Sequence, residues 1–172
     1  MRPSRIDTLL QVAKLYSERS TCNRLHVGAV IAREGRILAT GYNGNPAGMS
    51  HCDHEEFEGP CKLAIHAEAN ALWFAARYGF ATEGAELYVT HAPCIDCAKG
   101  VIQAGIVAVY FSHEFRNHHG TDLLEDAGVE TYAHASHGTQ DSAPSQEPGL
   151  FPLPNGNGSH RFRRLRDGHW QS

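Results

Sequence analysis

The sequence predicts a three-layer α/β/α domain built on a five-stranded mixed sheet. Three observations predict it. Two short apolar runs near residue 30 are separated by a turn signal and call for an antiparallel hairpin. Strand and helix patterns then alternate as β-α-β beyond residue 85, which implies parallel pairing with helices lying on the sheet. Helical periodicity before the hairpin and again at 66–78 supplies further covering helices.

Ser4-Arg5-Ile6-Asp7 reads as a capping box, and Ile6, Leu9, Leu10, Ala13 and Tyr16 recur at helical spacing up to about Ser20. Residues 27–32 and 36–40 read as the two hairpin strands, joined at Glu34-Gly35. Residues 41–48, Gly-Tyr-Asn-Gly-Asn-Pro-Ala-Gly, break regular structure and read as a loop. A second loop, rich in His, Cys and acids, runs over 50–62. From 66 to about 78 the chain is apolar on nearly every side, with Ala67, Ala69, Ala71, Leu72, Trp73, Phe74, Ala75 and Ala76, so this helix is expected to be buried. Residues 86–90 form a strand and 94–104 a helix whose Ile95, Ala98, Val101 and Ile102 share a face. Residues 107–111 form a strand, 121–127 a short helix and 129–132 the last strand.

This organisation gives a domain over 1–133 and a Pro/Gly/Ser-rich tail over 134–172 that is expected to be flexible. The tail has almost no apolar periodicity with which to offset its ordering entropy. Its basic cluster at 161–166 holds four arginines outside any nucleic-acid-binding module, so it reads as solvated. A chain of 172 residues is long enough for one real core. The net charge of −4 argues against binding nucleic acid through bulk positive charge. No apolar run of membrane-spanning length occurs and the N-terminus lacks a signal-peptide core, so a cytoplasmic protein is expected. Five cysteines, two of them in Cys-x-x-Cys, suit metal ligation in a reducing compartment better than a disulfide framework.

Two motifs carry the chemistry: His66-Ala67-Glu68 and Pro93-Cys94-Ile95-Asp96-Cys97. His66, Cys94 and Cys97 make the three-ligand set of a catalytic zinc site, which keeps its fourth position open. Residues three apart on a helix share a face, so both sulfurs can reach one ion. A helix N-terminus also favours the thiolate. Glu68 is left for acid/base work. Either motif alone is weak, since Cys-x-x-Cys also serves redox pairs and structural metal sites. In this order, each at the start of a helix, the two match the pattern of zinc-dependent nucleobase deaminases.

Residues 4–132 resemble the deoxycytidylate (dCMP) deaminase family of the zinc-dependent cytidine/deoxycytidylate deaminase superfamily. The general part of the resemblance is the pair of motifs above. The specific part is Val27-Gly28-Ala29-Val30-Ile31, Thr40-Gly41-Tyr42-Asn43-Gly44 with Pro46 and Gly48, His66-Ala67-Glu68-Ala69-Asn70-Ala71-Leu72, Leu87-Tyr88-Val89-Thr90, and Cys97-Ala98-Lys99 through Gln103-Ala104-Gly105-Ile106. The resemblance implies a cytidine-deaminase-like fold and hydrolysis of dCMP to dUMP and ammonia, feeding thymidylate synthesis. Glu68 would carry protons between water, ring N3 and the leaving amine. It implies contacts to substrate from Asn43, the Ala67 backbone and Phe115, where many members have tyrosine, with Arg24 as a phosphate or interface cation. It further implies a homohexamer, with dCTP and dTTP as effectors acting with Mg²⁺ at Asn43 and Asn45. A second, structural Zn²⁺ is implied at Cys22, Cys52 and Cys61, with His54 or His51 as fourth ligand. Other substrates within this chemistry are dCTP, deoxycytidine, 5-substituted dCMP or a tRNA base. A noncatalytic nucleotide-binding protein is the reading from another class.

Overall fold

The hydrogen bonds expected of Ser4 and Asp7 are present in the computed structural model of the protein, which describes residues 2–51, 61 and 63–134 and the backbone of 163–164 and 170–171. The Ser4 hydroxyl accepts from the Asp7 backbone N–H at 3.0 Å, and the Asp7 carboxylate accepts from the Ser4 N–H at 3.3 Å. Together they open α1 (Arg5–Ser17). The hairpin follows as β1 (Gly28–Arg33) and β2 (Arg36–Tyr42). Glu34 and Gly35 both have positive φ, 53° and 74°, the pair that lets a two-residue turn match the right-handed twist of its strands.

After α2 (Ala67–Tyr78) the chain alternates through β3 (Glu86–His91), α3 (Ile95–Gln103), β4 (Ala108–His113), α4 (His119–Asp126) and β5 (Glu130–Ala133). The sheet order is β2-β1-β3-β4-β5. β1 is antiparallel to both β2 and β3, whereas β3, β4 and β5 are parallel. The expected three-layer fold with a five-stranded mixed sheet is therefore what forms. On one face α1 lays Leu9, Leu10 and Ala13 over Val30, Ala32, Tyr88 and Tyr110. On the other, Ala67, Ala71, Ala98 and Val101 of α2 and α3, with Leu124 of α4, cover Ala29, Ile31, Leu87, Val89 and Val109. Both faces of β1, β3 and β4 are thus buried, which is why these strands read as continuous apolar runs instead of alternating ones.

Two expectations are corrected. The helix read as buried on nearly all sides is buried on one stripe only, Ala67, Glu68, Ala71 and Ala75. Trp73, Phe74 and Tyr78 are 60%, 42% and 57% exposed. The reason is steric: the bare backbone of β2 at Gly41 approaches the Ala67 and Ala71 backbone closely, so small side chains face the strand there and the aromatic ones are turned outward. Second, Gly41 and Tyr42, read as the start of a loop, belong to β2 and pair with Ala29 and Gly28. Ladder hydrogen bonds come from the backbone, so the strand runs past its last apolar side chain.

The chain forms two units, Met1–Asp141 and Ser142–Ser172. In the second, β6 (Arg163–Arg164) pairs antiparallel with β7 (Trp170–Gln171). Apart from these residues and His134, the stretch expected to be a flexible tail lies outside the described residues, as do Cys52 and His54 of the His/Cys loop.

Candidate active site

Each candidate metal ligand sits at a helix start that the sheet holds in place. Gly44 and Ile65 exchange two backbone hydrogen bonds, 3.1 and 2.9 Å, which tie the chain just before α2 to the end of β2. His66 is then the N-cap of α2. The Asn70 side chain donates from Nδ2 to the Tyr42 carbonyl at 2.8 Å and fixes the first turn of the helix to the same strand end. Across the sheet, the Ala92 N–H donates to the His113 carbonyl at 2.8 Å, extending the β3/β4 ladder to the turn that precedes α3. Cys94 is the N-cap of α3, and Cys97 follows one turn in.

These two helix starts bring His66 Nδ1 to 3.4 Å from each of Cys94 Sγ and Cys97 Sγ. The three donor atoms lie within 4.8 Å of one another. His66 is exposed, Cys94 half-buried and Cys97 buried, so the cluster opens on one side. The two sulfurs and the imidazole shift one another's proton affinity. The Cys97 hydrogen bond, with His66 adding to it, brings the Cys94 thiol down to about 4, while the same pairing together with burial pushes Cys97 up. His66 is raised, first by its hydrogen bond to Cys94. A site that gathers two cysteine sulfurs and an imidazole at two helix N-termini suits a cation that takes S and N donors, and zinc fits it. Among the described residues no other group of three such donors lies this close.

Glu68 lies in the first turn of α2 at 4% exposure. Burial raises its carboxyl to about 7, although the imidazole of His66 opposes the shift. A carboxyl balanced near neutrality beside a metal cluster can both take and give a proton.

The remaining candidates are placed as follows. Asn43 is 7% exposed; its Oδ1 accepts from the Val27 N–H at 2.8 Å and its Nδ2 donates to the Leu25 carbonyl at 2.7 Å. Its amide therefore organises the backbone between α1 and β1. Asn45 donates to the Ser50 carbonyl at 2.7 Å. Ala67 is fully buried against β2, and Phe115 packs half-buried at the rim of the α2/α3 core. Arg24 is exposed, Cys22 buried and Cys61 half-buried. Sequence reasoning quoted Asn70 as part of a motif but missed its link to β2. A polar residue two places after Glu68 in an alanine-rich stretch was the available signal.

An α/β domain whose paired helix starts present His, Cys and Cys beside a buried Glu defines a metal-dependent hydrolytic class of protein. Residues 3–113, more than half of the chain, match the family described as the cytidine and deoxycytidylate deaminase zinc-binding region, and the protein belongs to that family. It is 48% identical over 119 residues to ComE operon protein 2 of Bacillus subtilis, covering 67% of this chain and 63% of that protein. It is 36% identical over 170 residues to the deoxycytidylate deaminase of Enterobacteria phage T2, covering 73% of this chain and 89% of the phage protein. Among solved structures it is similar to the dCMP deaminase of cyanophage S-TIM5 in complex with dCMP and dUMP. That similarity has a TM-score of 0.73 and 38% identity over 78% of this chain and 99% of the cyanophage chain.

Proposed function

We propose that the protein hydrolyses dCMP to dUMP and ammonia with one catalytic zinc held by His66, Cys94 and Cys97. The observation that carries this reading is the buried Glu68 carboxyl beside a three-donor His/Cys/Cys cluster, in a chain 38% identical to a protein solved with dCMP and dUMP. Zinc, when bound, supplies Lewis-acid activation of the attacking water. Every proton movement falls to Glu68. A neutral cytosine ring cannot expel an amide anion, so Glu68 takes a proton from the attacking water and gives it to ring N3. It then carries the second proton to the departing amine, which leaves as ammonia while C4 gains its carbonyl oxygen. Burial serves this cycle because it keeps the protonated form of Glu68 accessible near neutral pH.

Around this centre, Asn43, the Ala67 backbone and Phe115 are the proposed substrate contacts and Arg24 the phosphate cation. Asn43 and Asn45 are the proposed effector contacts for dCTP or dTTP with Mg²⁺; the support for these roles is the resemblance of the motifs. A second zinc at Cys22, Cys52, Cys61 and His54 belongs to the same proposal, supported by the same resemblance. Two ions per chain by elemental analysis are expected, and one ion in fully loaded protein removes that site. A homo-oligomer, read as a hexamer, has physical support in α2, whose Trp73, Phe74 and Tyr78, with Phe80 beyond its C-cap, leave an aromatic face exposed. No helix among the described residues is long and apolar enough to cross a membrane, and the proposed setting is the cytoplasm.

The test is ammonia release by zinc-loaded protein from dCMP beside deoxycytidine, dCTP and a 5-substituted dCMP. Preference for dCMP is expected, and no turnover of any of the four by zinc-loaded protein overturns the reading. Glu68→Gln should keep zinc and fold and lose at least 10²-fold in kcat, the lower bound for a lost general acid/base. Near-normal turnover by that variant would refute the role of Glu68.

A further inference from the structure

The metal ligands stand on two helix starts, and each start is touched by the bare backbone of an element that contributes no ligand. In β2, a Cβ added at Gly41 would lie 2.3 Å from the Ala67 carbonyl oxygen and 2.6 Å from the Ala71 nitrogen. These are backbone atoms of the first turns of α2, one and five residues after His66. In α4, a Cβ added at Gly120 would lie 1.9 Å from the Pro93 carbonyl oxygen and 2.9 Å from the carbonyl carbons of Pro93 and Cys94. Gly120 is buried, and Pro93 is among the fully buried residues. Neither contact ends on a flexible side chain that could swing aside. The Gly120 contact ends on the peptide joining Pro93 to Cys94, and the Gly41 contact ends on the backbone of the helix whose N-cap is His66 and whose first turn carries Glu68. Neither glycine needs its freedom for a left-handed conformation, since among the described glycines the positive-φ positions are Gly35, Gly48, Gly79, Gly84, Gly105 and Gly128. What the two positions require is the absence of a side chain.

We propose that Gly41 and Gly120 are positioning residues for the metal centre: β2 sets the depth of His66 and Glu68 through Gly41, and α4 sets Cys94 through Gly120. The inference rests on His66, Cys94 and Cys97 being the zinc ligands. A methyl group at Gly120 cannot be accommodated unless the Pro93–Cys94 peptide or the start of α4 moves, because contacts below 3.0 Å are not found for real Cβ atoms. A shift of that peptide displaces Cys94, whose sulfur stands 3.4 Å from His66 Nδ1. A methyl group at Gly41 instead lifts the first turn of α2 from the sheet and carries His66 and Glu68 together.

The experiment measures zinc affinity by chelator competition and the visible spectrum of the cobalt-substituted protein for wild type, Gly120→Ala, Gly41→Ala and Gly128→Ala. Gly128 has φ +81° with nothing within 4 Å, so alanine there strains the backbone without pressing on either ligand-bearing helix start and controls for general destabilisation. Gly120→Ala and Gly41→Ala should each weaken zinc about 10–100-fold, the range seen when residues that orient ligands are altered. The thiolate-sensitive cobalt bands should shift in Gly120→Ala, and Gly128→Ala should keep wild-type affinity and spectrum while losing stability. Wild-type affinity and spectrum in both Gly120→Ala and Gly41→Ala overturn the proposal, as does an equal loss of affinity in Gly128→Ala. If one of the two variants does not fold, the other decides. If neither folds, the glycines serve the fold as a whole and the positioning role is refuted. Wild-type protein that binds no zinc overturns the ligand assignment instead, which separates the two failures.

Discussion

Replacing Asn43 tests how the loop before β1 is held. The Asn43 amide accepts from the Val27 N–H at 2.8 Å and donates to the Leu25 carbonyl at 2.7 Å, and its own backbone N–H donates to the Val27 carbonyl at 3.1 Å. Asn43→Ala removes the two side-chain bonds and leaves a backbone donor and acceptor without those partners at a site that is 7% exposed in the native protein. Two hydrogen bonds of about 1 kcal/mol each, plus the desolvation of groups left unmet, give a loss of roughly 2–4 kcal/mol. With a urea m-value of about 2 kcal/mol/M, the unfolding midpoint should fall by on the order of 1–2 M. Asn43→Asp adds a signature that simple loss of packing does not have. Its carboxylate still accepts from Val27 but sets a second oxygen against the Leu25 carbonyl, and only the protonated acid can donate there. The folded-state pKa of that aspartate is therefore raised, so its stability is greatest below the unfolded value and is lost as pH rises through the folded one. Asn43→Asp should match Asn43→Ala or fall below it at neutral pH and gain on it in mild acid. A change under about 0.5 kcal/mol in Asn43→Ala, the level of ordinary surface substitutions, would refute the argument. Each amide atom keeps one further hydrogen-bonding position. A rise in KM for dCMP in variants that remain folded therefore reports on the proposed substrate contact separately from the loop.

Two further outcomes are expected. The Tyr110 hydroxyl is buried and has no hydrogen-bond partner among the described residues, and burial raises its pKa to about 12. Tyr110→Phe should therefore stabilise the protein by about 1 kcal/mol, and an unchanged or lower Tm contradicts this. The carboxyl of Asp7 is held below its ordinary value by the Ser4 side chain first and by His134 second, whose Nε2 lies 2.7 Å from Oδ1. Because its folded pKa is depressed, the stabilisation is present above about pH 4 and is lost as pH falls through the folded value. Asp7→Asn should flatten the acid limb of a stability–pH curve, and an unaltered limb removes this contribution.

The sequence by itself determined those features whose cause is local. Ser4 and Asp7 are one helical turn apart and cap α1 wherever that helix lies. Glu34-Gly35 demands a tight hairpin, and Cys94 and Cys97 share a helix face because of their spacing. The β-α-β alternation dictates parallel strands whatever the side chains add. Tertiary structure alone decided what depends on partners distant in the chain. Composition made α2 look buried all round, but which side faces the sheet follows from the approach of Gly41, about 30 residues earlier, and that approach favours small side chains. Asn43 carries a polar amide that could as well face a ligand. Its engagement with Val27 and Leu25 appears only once β2 lies against β1. Glu68 is legible in the sequence as the acid/base candidate, but its burial is not; the packing of α2 over the sheet removes it from water, and that burial raises its carboxyl to about 7. Periodicity records which neighbours a residue has within its own helix or strand, whereas burial and close approach are properties of two elements meeting.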